Sequence, residues 1–194
     1  PFPNIIYSDV TLNWHENIIL CFSLSKIGLP GVRTGIIVAA PEVVKAVSSL
    51  NAIVNLSPTR FGAAIAAPLL NDGRLKQLAD QVIQPFYRQQ AQTAVSLLKR
   101  ELGAYPLKIH KPEGAIFLWL WFENLPVSSQ TLYEMLKAEG TLIIPGEHFF
   151  VGIDTQDYPH ASECIRMSIA QDAETLEKGI AAIGRVVRGL YDKK

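Results

Sequence analysis

Between Asn17 and Ala39 the chain reads NIILCFSLSKIGLPGVRTGIIVA. Two apolar runs, 18–22 and 36–39, bracket a segment that can continue neither, because Gly28, Pro30 and Gly31 bend it. Short, β-branched apolar runs bounded by Gly and Pro read as buried strands. The stretch therefore predicts two core strands, over 17–22 and 34–39, aimed at one polar loop. That loop holds two hydroxyls (Ser23 and Ser25), an amine (Lys26) and a guanidinium (Arg33). Polar loops fixed by a rigid core are where binding and catalysis concentrate.

A lysine at the edge of an apolar pocket sheds its charge readily, since burial disfavours the ammonium. The neutral amine can then form a Schiff base with an aldehyde. Ser23 and Arg33 offer hydroxyl and bidentate guanidinium donors of the kind that hold a phosphate. An aldehyde and a phosphate together describe pyridoxal phosphate. The residues alone leave other readings open. One is a solvated loop with an ordinary exposed lysine. Another is the S-x-x-K signature of serine acyl-enzymes, with Ser49-Leu50-Asn51 as S-x-N and Arg33-Thr34-Gly35 close to K-T-G. That signature has its parts in the wrong order here. Its S-x-x-K should also open a helix, which Gly28, Pro30 and Gly31 would stop.

The pattern S-L-S-K-x-G-L-P-G-x-R-x-G over 23–35 resembles the lysine loop of class I aminotransferases, which are fold-type I pyridoxal-phosphate enzymes. The resemblance implies that Lys26 is the catalytic lysine and Schiff-base anchor, and that Ser23, Ser25 and Arg33 bind the cofactor with it. Arg33 follows Lys26 by seven residues, one fewer than is usual in that family. Three later segments, KPEGAIFLWLWF (111–122), IIPGEHFF (143–150) and CIRMSIA (164–170), are similar to the branch of the family that exchanges an amino group between valine and pyruvate. Arg166 sits among Ile165, Met167 and Ile169, where a charge is costly unless paired. From the residues alone it either snorkels to water at a strand edge or clamps a carboxylate bidentately. The resemblance implies the clamp, for the substrate α-carboxylate. It also places Gly114, with Ala115, against the substrate side chain, and a phenylalanine of the Phe149-Phe150 pair near the mouth of the site. Ser57 is either a residue approaching the partner subunit's site or a plain N-cap.

The fold expected from the resemblance is α/β, the C-terminal part of a pyridoxal-phosphate-dependent transferase fold. Residues 1–70 would end the large cofactor-binding domain and 71–194 would form the small α+β domain, with the active site between them in a homodimer. The chain begins at Pro1. In the family the aspartate that holds the pyridinium nitrogen and the glycine-rich phosphate loop precede this stretch. The resemblance is thus to the C-terminal portion of a longer enzyme. The implied reaction moves an amino group between an amino acid (valine or alanine) and a 2-oxo acid (pyruvate or 2-oxoisovalerate). A lyase or synthase on the same fold, or a non-catalytic binding or dimerisation module, would carry the same loop.

The remaining chain supplies helices. Pro41 is placed to start one, with Val43, Val44, Val47 and Leu50 as its apolar face. The alanine-rich stretch 59–70 is a second, with Gly62 allowing close packing at a dimer face. Period-3.6 residues from Leu75 to Leu102 predict a long helix that Pro85 kinks or breaks. A strand pair, 107–110 with 115–122, alternates Phe117, Trp119 and Trp121 against Ile116, Leu118 and Leu120. Ser128 or Ser129 caps a helix with Leu132, Met135 and Leu136 inside, 142–144 and 164–170 are strands, and Asp172 caps a last helix to Leu190. Lys and Arg number 18 against 18 Asp and Glu, so no basic excess points to nucleic acid. The apolar runs are too short to span a bilayer and no signal-peptide pattern appears, so a cytoplasmic protein is expected. Cys21 and Cys164 read as buried free thiols, and the four histidines lack zinc-site spacing, so no metal is expected.

Overall fold

The structure, a computed structural model, describes residues 15–26, 28–56, 60–154 and 157–193. Ser57 lies outside them. The chain divides into two compact units, Pro1–Gln84 and Pro85–Lys194.

In the first unit β1 (Leu20–Ser23) and β2 (Gly35–Val38) form an antiparallel pair, with Leu20 opposite Val38 and Ser23 opposite Gly35. Both are shorter than the strands predicted over 17–22 and 34–39. Along β1, Leu20 and Phe22 are half-buried whereas Cys21 and Ser23 are exposed. Cys21 is therefore not the buried thiol expected, because a two-stranded ribbon covered on one face leaves alternate residues open. α1 (Pro41–Asn55) starts at its proline as predicted but buries none of its residues. Its expected packing face, which includes Val47 and Leu50, stays open, and Ile53, Val54 and Leu56 are more than two-thirds exposed.

α2 (Phe61–Asn71) and α3 (Arg74–Leu78) close this unit. Ala66 and Leu75 pack on Leu24 to make a small core, with Leu29, Val32 and Ile36 against it. Gly62 is buried, and a Cβ there would collide with the Thr34 side chain and the Val32 carbonyl. Gly62 thus lets α2 approach the segment that enters β2. Leu75 belongs to this core, and the two units part at Gln84–Pro85.

The expected disturbance at Pro85 takes a definite form. Residues Ala79–Ile83 are a π-helical turn between α3 and α4 (Gln84–Leu102). Proline has no N–H to donate, and its ring clashes with the carbonyl four residues back. A one-residue widening of the ladder accommodates both.

The second unit is a four-stranded antiparallel sheet in the order β3 (Leu107–Ile109), β4 (Phe117–Phe122), β6 (Cys164–Ser168), β5 (Ile144–Pro145). Helices α4, α5 (Ser129–Ala138) and α7 (Ala173–Tyr191) cover one face of it, and the four-residue α6 (Pro159–Ser162) precedes β6. Leu118, Leu120 and Phe122 of β4 meet Ile165 and Met167 of β6, Leu98 and Leu102 of α4, Leu132 and Leu136 of α5, and Ile180 and Ile183 of α7 in one core. Period-2 alternation then sends Phe117, Trp119, Trp121 and Arg166 to the opposite face, which is only half-buried. Both helix caps read from the sequence are made. Ser128 Oγ accepts from the Thr131 amide at 3.1 Å, and an Asp172 carboxylate oxygen accepts from the Thr175 amide at 2.9 Å. Met135 is exposed rather than inside, since α5 needs only the Leu132–Leu136 stripe, and Leu142 lies exposed ahead of the short β5.

Gly146 fixes the turn after β5. A Cβ there would lie 2.6 Å from the carbonyl oxygens of both Ala161 and Cys164. These are backbone atoms that cannot step aside, so Gly146→Ala is expected to destabilise this unit by about 2–3 kcal/mol. Denaturant titration should show a lower midpoint with an unchanged slope.

Candidate functional site

The lysine loop is pinned at its base. Leu24 opens a 3₁₀ turn, Leu24–Lys26, and is fully buried, anchoring the turn in the small core. The Leu24 amide donates to the Thr34 carbonyl at 3.1 Å, and the Leu29 amide donates to the Leu24 carbonyl at 3.1 Å. A second 3₁₀ turn, Pro30–Val32, ends at Arg33, whose backbone is left-handed (φ 48°, ψ 42°). That conformation folds the arginine back over the bend, and Arg33 Nη1 donates to Ser25 Oγ at 3.3 Å. Ser25, Lys26 and Arg33 are thus presented from one short loop. Ser23 sits at the end of β1, paired through its backbone with Gly35, and no hydrogen bond joins it to Arg33. Lys26 and Arg33 are exposed, and among the described residues no acid pairs with either. An amine, a guanidinium and a hydroxyl free of any carboxylate are a donor set suited to an anion such as phosphate.

The left-handed arginine marks a site where a non-glycine residue carries backbone strain. Arg33→Gly is expected to raise stability by roughly 0.5–1 kcal/mol, read as a higher melting temperature. If Arg33 holds a phosphate, the same change weakens pyridoxal-phosphate affinity by about 10- to 100-fold, the loss of a charged hydrogen bond.

In the second unit Arg166 sits on β6, opposite Trp119 of β4 and Ile144 of β5. β6 is interior to the sheet, so the strand-edge alternative for this arginine does not apply. Its guanidinium carbon lies 4.2 Å from the Phe117 ring centroid and 4.7 Å from that of Phe149. Nε is buried with no hydrogen-bond partner, and no described acid pairs with the side chain. An unpaired cation in such surroundings is costly, and the two aromatic faces offset only part of that cost, about 0.5–2 kcal/mol each. A planar anion is a partner whose charge and geometry would suit this guanidinium.

Aromatic rings continue around it. Trp119 packs edge-on against Phe149, with centroids 5.2 Å apart at 89°. Phe150 and Trp121 both meet the His160 ring, at 5.8 Å and 4.6 Å. His160 also approaches Cys164, with Sγ 3.6 Å from Nε2. Burial pushes the Cys164 thiol up to about 11, which makes it a packing group rather than a nucleophile. Gly114 lies exposed in the turn before β4. The left-handed residue of that turn is Ala115, at φ 66°. The Ile169 amide donates to the Ile116 carbonyl at 3.0 Å, which ties the turn to the segment following β6. Reading the sequence for packing assigns Phe117 to an aromatic stripe and misses it as a flank of Arg166. The available signal is its same-face spacing with Trp119, the residue directly across from the arginine.

Comparison with known proteins agrees with this picture. The family model for aminotransferase class I and II matches residues 6–183. The chain is 42% identical over 187 residues to valine–pyruvate aminotransferase of Escherichia coli (strain K12), covering 96% of this chain and 45% of that protein. A crystal structure from Psychrobacter arcticum 273-4, provisionally assigned as an amino-acid aminotransferase, superposes with a TM-score of 0.91 at 68% identity, over 100% of this chain and 44% of that one. The crystal structure of valine-pyruvate aminotransferase AvtA from Salmonella typhimurium LT2 gives a TM-score of 0.87 at 40% identity, over 100% and 50%. The chain thus spans about half the length of the relatives it matches. With the lysine loop and the strand-borne arginine already in place, these matches establish that the chain belongs to the class I and II aminotransferase family and resembles the C-terminal portion of its members.

Proposed function

We propose that the protein carrying this chain transfers an amino group between an amino acid, valine or alanine, and a 2-oxo acid, pyruvate or 2-oxoisovalerate, with pyridoxal phosphate as cofactor. The observation that carries the reading is the pinned loop that offers Lys26, Ser25 and Arg33 with no described acid to neutralise them, in a chain of this family. The donor set fits the cofactor. Arg33 and Ser25, already 3.3 Å apart, would hold its phosphate together with Ser23, and Lys26 would hold its aldehyde end. When bound, pyridoxal phosphate supplies the electron sink for charge developing at the substrate Cα.

The chain's own residues do the rest. Lys26 Nζ takes the proton from the substrate Cα and returns it, a general acid–base role worth roughly 10²- to 10⁴-fold. Arg166 receives the α-carboxylate and so fixes which face of Cα is presented. Phe117 and Phe149, whose rings lie on the guanidinium, would keep water from its faces and so strengthen its grip on the anion, and Trp119 and Phe150 extend the aromatic surround. They also favour an apolar side chain, and 42% identity to valine–pyruvate aminotransferase points to the same class of substrate. Gly114 would line the side-chain pocket from the turn before β4. In this reading the first unit belongs to the large cofactor-binding domain, the second is the small domain, and the enzyme is a homodimer.

The test is a titration of the complete protein with pyridoxal phosphate, followed by borohydride reduction, peptide mapping and product analysis. The expected result is a visible absorption band that reduction fixes to the Lys26 peptide, with valine and pyruvate converted to 2-oxoisovalerate and alanine. No band would leave a binding or dimerisation module. A band with other products would point to a lyase or synthase.

A further inference from the structure

A guanidinium used as a substrate clamp faces a design conflict. It must be held in one orientation, yet an acid that held it would neutralise it and occupy the donors the substrate needs. No described acid pairs with Arg166, which makes no described hydrogen bond, and its Nε is buried without a partner. Two phenyl rings lie on its guanidinium, Phe117 at 4.2 Å and Phe149 at 4.7 Å. Phe117 comes from β4, on one side of β6, and Phe149 from the turn after β5, on the other. The Phe149 ring is itself braced edge-on by Trp119, the cross-strand partner of Arg166.

We propose that Phe117 and Phe149 are positioning residues that hold the Arg166 guanidinium by its faces and leave its Nη edge free for the substrate carboxylate. The inference rests on the reading of Arg166 as the clamp. A cation on an aromatic face is attracted by the ring quadrupole without using an N–H donor. Two rings therefore restrict the tilt of the guanidinium plane while its charge stays intact. The free carboxylate group of a ligand then meets a fork that is already oriented, and little ordering remains to be done on binding.

The test uses the complete, cofactor-loaded enzyme and two probes of the same skeleton, isovalerate and its neutral amide isovaleramide, as competitive inhibitors against valine. Phe117→Leu and Phe149→Leu are each expected to weaken isovalerate by about tenfold. Isovaleramide should change by less than about twofold, because it does not draw on the guanidinium charge. Phe149→Tyr, which keeps the aromatic face, should bind isovalerate like the wild type. Equal loss of both inhibitors, or wild-type isovalerate binding in both leucine variants, would overturn the positioning role. Arg166→Ala separates the two layers. If it leaves isovalerate binding unchanged, the clamp reading falls. If it abolishes that binding while the leucine variants retain it, only the positioning role falls.

Discussion

Lys26→Ala in the complete protein is expected to lower kcat for valine–pyruvate transamination by at least roughly 10²- to 10⁴-fold, the usual worth of a positioned proton-transfer group. The loss should be catalytic and not structural. Lys26 is exposed, and its turn is held by buried Leu24 and by backbone hydrogen bonds from the Leu24 and Leu29 amides. Removing an exposed side chain from such a turn changes stability by about 0.5 kcal/mol or less. Melting temperature should therefore stay near the wild-type value while turnover collapses. Lys26→Arg should be no better than alanine. A guanidinium keeps the charge but stays protonated throughout the accessible pH range, so it cannot take a proton from Cα. An arginine variant with a tenth or more of wild-type turnover would show that Lys26 acts only as a cation, and the proton-transfer role would be withdrawn.

The features that were legible in the sequence are those written in local chemistry. The caps at Ser128 and Asp172 depend on a side chain reaching an amide three residues on, and both form. Pro85 disturbs its helix because a missing N–H is a property of the residue itself, although the sequence does not say that the disturbance becomes a π turn. The alternation of β4 separates Leu118 and Leu120 from Trp119 and Trp121 as written. Arg166 is conspicuous because its neighbours are apolar.

What was hidden is set by what covers a residue or approaches it from far along the chain. Cys21 and the apolar face of α1 have core-like patterns but are open in their unit. The left-handed backbone of Arg33 has no glycine to announce it. The contact between Phe149 and Arg166 joins the turn after β5 to β6, and no spacing rule reports it. The packing of Leu75 on Leu24 joins residues far apart along the chain, and no local pattern reports it.

Arg166→Met separates a clamp from a structural cation, because the two roles predict opposite effects on stability. A guanidinium that stabilised the fold would have an acid or carbonyl partner, and removing it would strand that partner at a cost of about 3–5 kcal/mol. Arg166 has no described partner to strand, and its Nε is buried unsatisfied. Replacing an unpaired, partly desolvated charge with an apolar side chain of similar length removes a penalty and loses two ring contacts of about 0.5–2 kcal/mol each. The Arg166→Met protein is therefore expected to melt at or above the wild-type temperature. Its kcat/KM for valine should fall by about 10²- to 10⁴-fold, since a bidentate carboxylate grip consists of two charge-assisted hydrogen bonds of roughly 1.5–3 kcal/mol each. Arg166→Lys should recover only part of this, because a point charge cannot reproduce the planar fork or stack equally well between Phe117 and Phe149. A methionine variant that unfolds several degrees earlier, with kcat/KM reduced only in proportion to the folded fraction, would make Arg166 a structural residue and move the carboxylate site elsewhere.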